Sequence, residues 1–160
     1  EDPRGRPYGQ SFASPVNFTL AENVTNYTIM FWAKNPAAGA EALNAAPVAL
    51  MSAGLAVCFL SFLSSGQVDV GSFQYGLPTP ADGGEWHHYA VTRDEEWFRV
   101  FQDGVQIGAS QLAPGTTYAI DGVRIGSPAG TQNLFSPRAY EATLSPEAVA
   151  YYFAHPEEWT

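Results

Sequence analysis

The chain is poor in cysteine, in lysine and in charge altogether, and each shortage excludes something. Cys58 is the one cysteine, so no intrachain disulfide can form. It lies in the apolar run Ala56-Val57-Cys58-Phe59-Leu60, where a thiol is expected to pack as a small buried hydrophobe. No adjacent His or cation would make it a reactive thiolate, and no second Cys is present to build a zinc site. Lys34 is the only lysine, and seven cations against sixteen acids leave a formal charge of −9. Nucleic acid, whose phosphates need a basic face, is an unsuitable partner. Charged residues are only 14%, against about 25% in typical domains, while 46% of the chain is hydrophobic and 14% aromatic. Such a composition supplies a core for one domain of 160 residues and excludes disorder.

A long apolar run is missing too. The most hydrophobic stretch, Val48 to Leu63, is broken by Ser52, Gly54 and Ser61. It falls short of the roughly 18 uninterrupted residues of a membrane span. Two buried strands with a turn near Ala53-Gly54 are expected instead, with no membrane insertion. The chain begins at Glu1 with no basic segment leading into an apolar one, which fits a mature chain whose signal peptide has been removed.

Catalytic signatures are equally scarce. The Glu-x-Asp-x-x-Glu strand that would set two carboxylates across a glycosidic bond is missing, as are Gly-x-Ser-x-Gly, His-Glu-x-x-His and a phosphate-cradling Gly-rich loop. His87 and His88 are neighbours on an expected strand, so they point to opposite faces and cannot share a metal; a structural His beside Trp86 is expected. Asp69, Asp82, Asp94 and Asp121 lie in loops or at strand ends, but none forms a calcium loop, and they read as solvated turn residues. Neither a metal site nor a cofactor is assigned, and the expectation is that the protein is not an enzyme.

What is present is punctuation. Fifteen Gly and twelve Pro are spread along the chain, as in an all-β fold of short strands and turns. Tyr27 to Ala33 is apolar on both alternating faces and predicts a strand buried on both sides. Gln67-Val68-Asp69-Val70 and Ser72-Phe73-Gln74-Tyr75 alternate as half-exposed strands do. Strands at 85–93 and 97–102 flank a turn at Asp94-Glu95-Glu96. Asp103-Gly104 then makes a tight hairpin returning through Val105-Gln106-Ile107-Gly108. Val123-Arg124-Ile125-Gly126 is a further short strand. Ser145-Pro146-Glu147 opens a brief helix with an N-cap, a first-turn Pro and an acid, and Pro156 prevents it from running on. Residues 1–9, with Pro3, Gly5, Pro7 and Gly9, read as an extended arm; Pro36 to Pro47 read as a loop or one helical turn.

Asn17-Phe18-Thr19, Asn23-Val24-Thr25 and Asn26-Tyr27-Thr28 are three N-glycosylation sequons packed together, which favours a eukaryotic secreted glycoprotein. Asn17 alternates with Val16, Phe18 and Leu20, so it is expected to face water and to be the most accessible of the three.

Five segments in order resemble the laminin G-like modules of the concanavalin A-like lectin/glucanase jelly rolls. They are Tyr27-Thr28-Ile29-Met30-Phe31-Trp32-Ala33, Trp86-His87-His88-Tyr89-Ala90-Val91-Thr92, Phe98-Arg99-Val100-Phe101-Gln102-Asp103-Gly104, Ile125-Gly126, and the helix entry Tyr140 to Glu147. The resemblance spans most of residues 8–153. It implies a two-sheet antiparallel jelly-roll β-sandwich with one short C-terminal helix: an arm at 1–9, the sandwich at 10–153 and a tail at 154–160. Leu134 to Tyr140 departs from the family, lacking its Asp-Glu pair, and Pro137 predicts a strand that is short or at an edge. The resemblance also implies binding of glycans or extracellular proteins, with Trp97, Tyr118 and Trp159 as candidate sugar-stacking aromatics. A second expectation is a self-assembling subunit of an extracellular filament or coat, a homo-oligomer or homopolymer in which residues 1–9 contact a neighbouring protomer.

Overall fold

The computed structural model describes residues 11–12, 16–34, 48–63, 66–71, 73–79, 84–111, 119–126 and 132–158. The expected arm at 1–9 and the Pro36 to Pro47 segment lie outside them. The strands are β1 (Ser11–Phe12), β2 (Val16–Val24), β3 (Tyr27–Lys34), β4 (Val48–Ser52), β5 (Leu55–Leu63), β6 (Gln67–Val70) and β7 (Phe73–Gly76), followed by β8 (Trp86–Arg93), β9 (Trp97–Gln102), β10 (Val105–Gln111), β11 (Ile120–Ile125) and β12 (Gln132–Tyr140). They form two six-stranded antiparallel sheets, ordered β1-β12-β3-β8-β9-β10 and β2-β11-β4-β5-β6-β7. This is the all-β sandwich the sequence predicts, with its helix α1 at Pro146–Ala154.

Alternation along β3 builds two cores from one strand. Tyr27, Ile29 and Phe31 point inward with Tyr89 and Val91 of β8, against Leu50, Cys58, Leu60, Phe62 and Val68 of the other sheet. Cys58 sits there as a buried, free thiol. Met30 and Trp32 point the other way, with Ala90, Phe101 and Phe135, and are covered by Val149, Tyr152 and Phe153 of α1. All of residues 27–33 are therefore buried. Each large apolar side chain so covered contributes about 1.5–3 kcal/mol.

Local chemistry sets the turns and ends. Ala53-Gly54 (φ 49 and 78) and Asp103-Gly104 (φ 50 and 76) place two consecutive residues in the left-handed region, which the twist of a two-residue hairpin favours. Ser145 caps α1, its hydroxyl accepting from the Ala148 amide at 3.2 Å, and Pro146 occupies the first turn. After His155 the chain forms a 3-10 turn, Pro156–Glu158, where the Glu158 carbonyl accepts from Arg138 Nη2 at 2.8 Å.

The last strand corrects the expectation of a short strand, while Pro137 does lie where one side of β12 has no partner among the described residues. Despite Pro137, β12 runs nine residues and lies between β1 and β3. A bulge reconciles the two: Ser136 has φ 44, and the register against β3 slips between Phe135 and Arg138. On its other side β12 is paired by β1 only at Asn133 and Gln132, so the donor that Pro137 lacks is not required there.

The sheets meet edge to edge at β7 and β10. Tyr75 lies over Gly108, where an added Cβ would stand 2.0 Å from Tyr75 Cδ1, and the Tyr75 hydroxyl is 2.5 Å from Ser110 Oγ. Gly108→Ala should therefore destabilise the protein by about 1–3 kcal/mol through overpacking. Gly76→Ala, whose Cβ would meet nothing within 4 Å, should stay within about 0.5 kcal/mol of the parent. Urea unfolding of both variants checks the contrast.

Candidate functional site

The edge strand β2 pairs with β11 out of step. Ile120 faces Val24 and Gly122 faces Thr19, so residues 20–23 of β2 stand opposite Asp121 alone. Asn23 turns the chain there with φ 58, and the Glu141 carboxylate accepts from the Ala21 amide at 2.6 Å. The widened ladder opens onto a shallow groove of about 410 Å³, bounded by Asn17 to Leu20 of β2, Met51 and Gly54 at the β4–β5 turn, and Asp121 to Val123 of β11. Gly122 allows the close approach, because a Cβ there would lie 3.0 Å from the Phe18 carbonyl oxygen. Asp121 Oδ2 accepts from the Ala53 amide at 2.8 Å, which ties the β4–β5 turn to β11.

The groove thus offers one carboxylate, an Asn and a Thr beside Met51, with the intervening Phe18 and Leu20 side chains packed onto the core. Leu55, just past the turn, is 71% exposed. Polar acceptors next to apolar surface suit a ligand with hydroxyls on one side and C–H groups on the other. Two facing carboxylates, which glycoside hydrolysis requires, are not among the lining residues.

The expected site residues are spread over the molecule. Asn17, Asn23 and Asn26 are all exposed, on β2, at its irregularity and in the turn to β3; only Asn17 borders the groove. Trp97 begins β9, half-buried, with the Arg99 guanidinium 6.0 Å from its ring. It lies in the other sheet, away from the groove. Tyr118 and Trp159 lie outside the described residues. Of the four acids, Asp94 is a turn residue: it accepts from the amides of Glu96 and Trp97 and from Arg99 Nη1 at 2.6 Å. Partial desolvation opposes its ionisation, but those hydrogen bonds hold its carboxyl below the usual range. Asp69 sits in β6 between Ser61 and Gln74, and Asp82 lies outside the described residues. Among the described residues no three His, Cys, Asp or Glu side chains are grouped as metal ligands would be.

Asp121 is the second residue of β11, which begins ahead of the strand expected from Val123. His87 and His88 do occupy opposite faces. His87 Nδ1 is 2.8 Å from Asp103 Oδ2, while His88 packs against Trp32 and Phe153, with ring centroids 5.3 and 6.1 Å away. Trp32 and Phe153 meet His88 because α1 folds over that face of the sheet. Burial pushes the His88 imidazole down to about 3, so it is neutral in the fold.

A family model described as the concanavalin A-like lectin/glucanases superfamily matches residues 8–150. Comparison with curated proteins finds no match. Among solved structures, the chain is similar to the binding domain of botulinum neurotoxin serotype D, with a TM-score of 0.65 and 11% identity over 91% of this chain and 42% of that one. It is similar to the binding domain of Paraclostridial Mosquitocidal Protein 1, with a TM-score of 0.61 and 12% identity over 82% and 37%. It is also similar to the Trypanosoma rangeli sialidase solved with sialic acid, with a TM-score of 0.58 and 14% identity over 82% and 23%. The chain spans less than half the length of each, and at these identities the likeness is one of fold.

Neutral His88 makes stability depend on pH. Above about pH 6.5 the ring is uncharged whether the chain is folded or not. Below that the unfolded chain takes up a proton that the fold refuses until about pH 3. Its contribution to stability therefore falls as pH falls through this window, by about 1.4 kcal/mol per unit. Urea unfolding from pH 7 to pH 4 should lose stability less steeply in His88→Phe than in the parent, the difference isolating this group from the carboxylates.

Proposed function

The chain belongs to the concanavalin A-like lectin/glucanases superfamily, and on that premise we propose that it is a secreted, glycosylated, non-catalytic binding module whose groove takes extracellular glycans or the polar surface of extracellular proteins. The groove between β2, β11 and the β4–β5 turn carries this reading, because it sets Asp121, Asn17 and Thr19 beside Met51 on strands and not on loops. Strand-borne side chains lose little freedom when a ligand arrives, which favours recognition. A lone carboxylate with one oxygen held by the Ala53 amide suits hydrogen-bond acceptance better than acid–base chemistry. Exposure of all three sequon asparagines supports carriage of glycans outside the cell. Among the described residues no helix is long and apolar enough to cross a membrane.

A glycan array probed with the folded chain tests the reading. The expected outcome is retention of a defined glycan set that Asp121→Asn weakens roughly tenfold or more, the loss of about one charged hydrogen bond, and that Met51→Asp weakens by putting a carboxylate on the apolar surface. Hydrolysis of any arrayed glycan or soluble polysaccharide would refute the non-catalytic assignment. Retention unchanged in both variants would move the site off the groove.

The reading as a self-assembling subunit is favoured by β1. It pairs with β12 only at Ser11↔Asn133 and Phe12↔Gln132, so from Leu134 onward no described residue pairs with that side of β12. Such an edge can accept a strand from a second copy. Light scattering should then report a multimer for the full chain and a monomer after deletion of residues 1–9; equal masses would dismiss assembly through the arm.

A further inference from the structure

The three sequons are alike in sequence and unlike in the fold. An N-glycosylation sequon is read through its Asn and through the hydroxyl two residues on. In the first, Asn17 and Thr19 alternate with Phe18 on the edge strand β2, and both are exposed while Phe18 packs onto the core. In the third, Asn26 is exposed but Tyr27 and Thr28 are fully buried. Thr28 Oγ1 donates to the Ala142 carbonyl at 2.8 Å and accepts from the Leu144 amide at 2.9 Å, so its hydroxyl is engaged in both senses by the segment between β12 and α1. The Thr143 hydroxyl, donating to the Arg93 carbonyl, fastens the same segment to β8. The second sequon falls between. Asn23 is exposed, but Thr25 is half-buried and its carbonyl accepts from Arg93 Nη1 at 2.8 Å, a guanidinium buried over the rings of Tyr27 and Phe98.

We infer that folding sorts the sequons into one that remains open to glycan transfer, Asn17, and one that is closed by it, Asn26. The groups that engage the Thr28 hydroxyl lie 114 and 116 residues further along the chain than Thr28. During synthesis the Thr28 hydroxyl therefore stays accessible until nearly the whole domain has emerged, and it is lost when the helix entry docks. A glycan on Asn26 records transfer before folding; one on Asn17 can be added to the finished domain. The inference rests on the reading of the chain as an N-glycoprotein and adds an order to its modification.

The test uses the full chain made without glycosylation and folded, incubated with oligosaccharyltransferase and a lipid-linked oligosaccharide. A synthetic peptide of residues 15–30 is treated in parallel, and occupancy is followed site by site by glycopeptide mass spectrometry. The expected result is transfer to Asn26 at least tenfold slower in the folded chain than in the peptide, with Asn17 slowed far less. Transfer to Asn26 of the folded chain at the peptide's rate, or equal slowing of both sites, would overturn the inference. Glycan-free protein from a eukaryotic secretory host would overturn the glycoprotein reading itself, which the ratio of the two rates does not address.

Discussion

A strand with no face toward solvent must be covered twice, and residues 27–33 impose that demand on the rest of the chain. Inward-pointing Tyr27, Ile29 and Phe31 call for a second sheet, while outward-pointing Met30 and Trp32 call for a lid, which α1 supplies through Val149 and Phe153. The helix is short and would be marginal in isolation. Its place is secured by the Ser145 cap and by Thr28, which bonds the segment leading into it. The hairpin at Asp103-Gly104 belongs to the same arrangement. A Cβ at Gly104 would lie 3.1 Å from the Ala150 Cα, so glycine serves both the turn and the seat of the helix.

With one outer face occupied by α1, the groove lies in the other sheet. The groove arises there because two paired strands differ in length across one stretch: the surplus residues of β2 bow away from Asp121. Irregularities of this kind recur beside functional sites because they re-aim side chains without unravelling the sheet. The bow is held from two sides, by Glu141 at Ala21 and by Asp121 at the β4–β5 turn.

Most of the architecture was legible in the residues. Alternation at 27–33 and 97–102, the Asp103-Gly104 turn and the Ser145-Pro146 helix entry are local signals, and local signals survive folding. Pro137 was misleading only about length: β12 is long, but the proline sits at the bulge after Ser136 and beyond the two-residue pairing with β1, where its missing donor is not needed. The groove was not legible, since it depends on the register between β2 and β11, strands about a hundred residues apart, and on an Asp-Gly pair that sits in a strand. The sequons could be read as motifs, but their separate surroundings follow from contacts with residues 142–144. Trp97 is a fair sugar-stacking residue by type, yet the fold sets it on the sheet opposite the groove.

Tyr75 seated on Gly108 gives the molecule a spine. The two sheets are bound together along β7 and β10 much as the covers of a book are bound. Their other margins, β1 and β2, are the fore-edge. Across that margin the Ala21 amide of β2 is tied to Glu141, in the segment after β12. The sandwich is thus fastened on both sides: by an aromatic ring at the spine, and by an exposed carboxylate at the fore-edge where the groove and the first sequon lie.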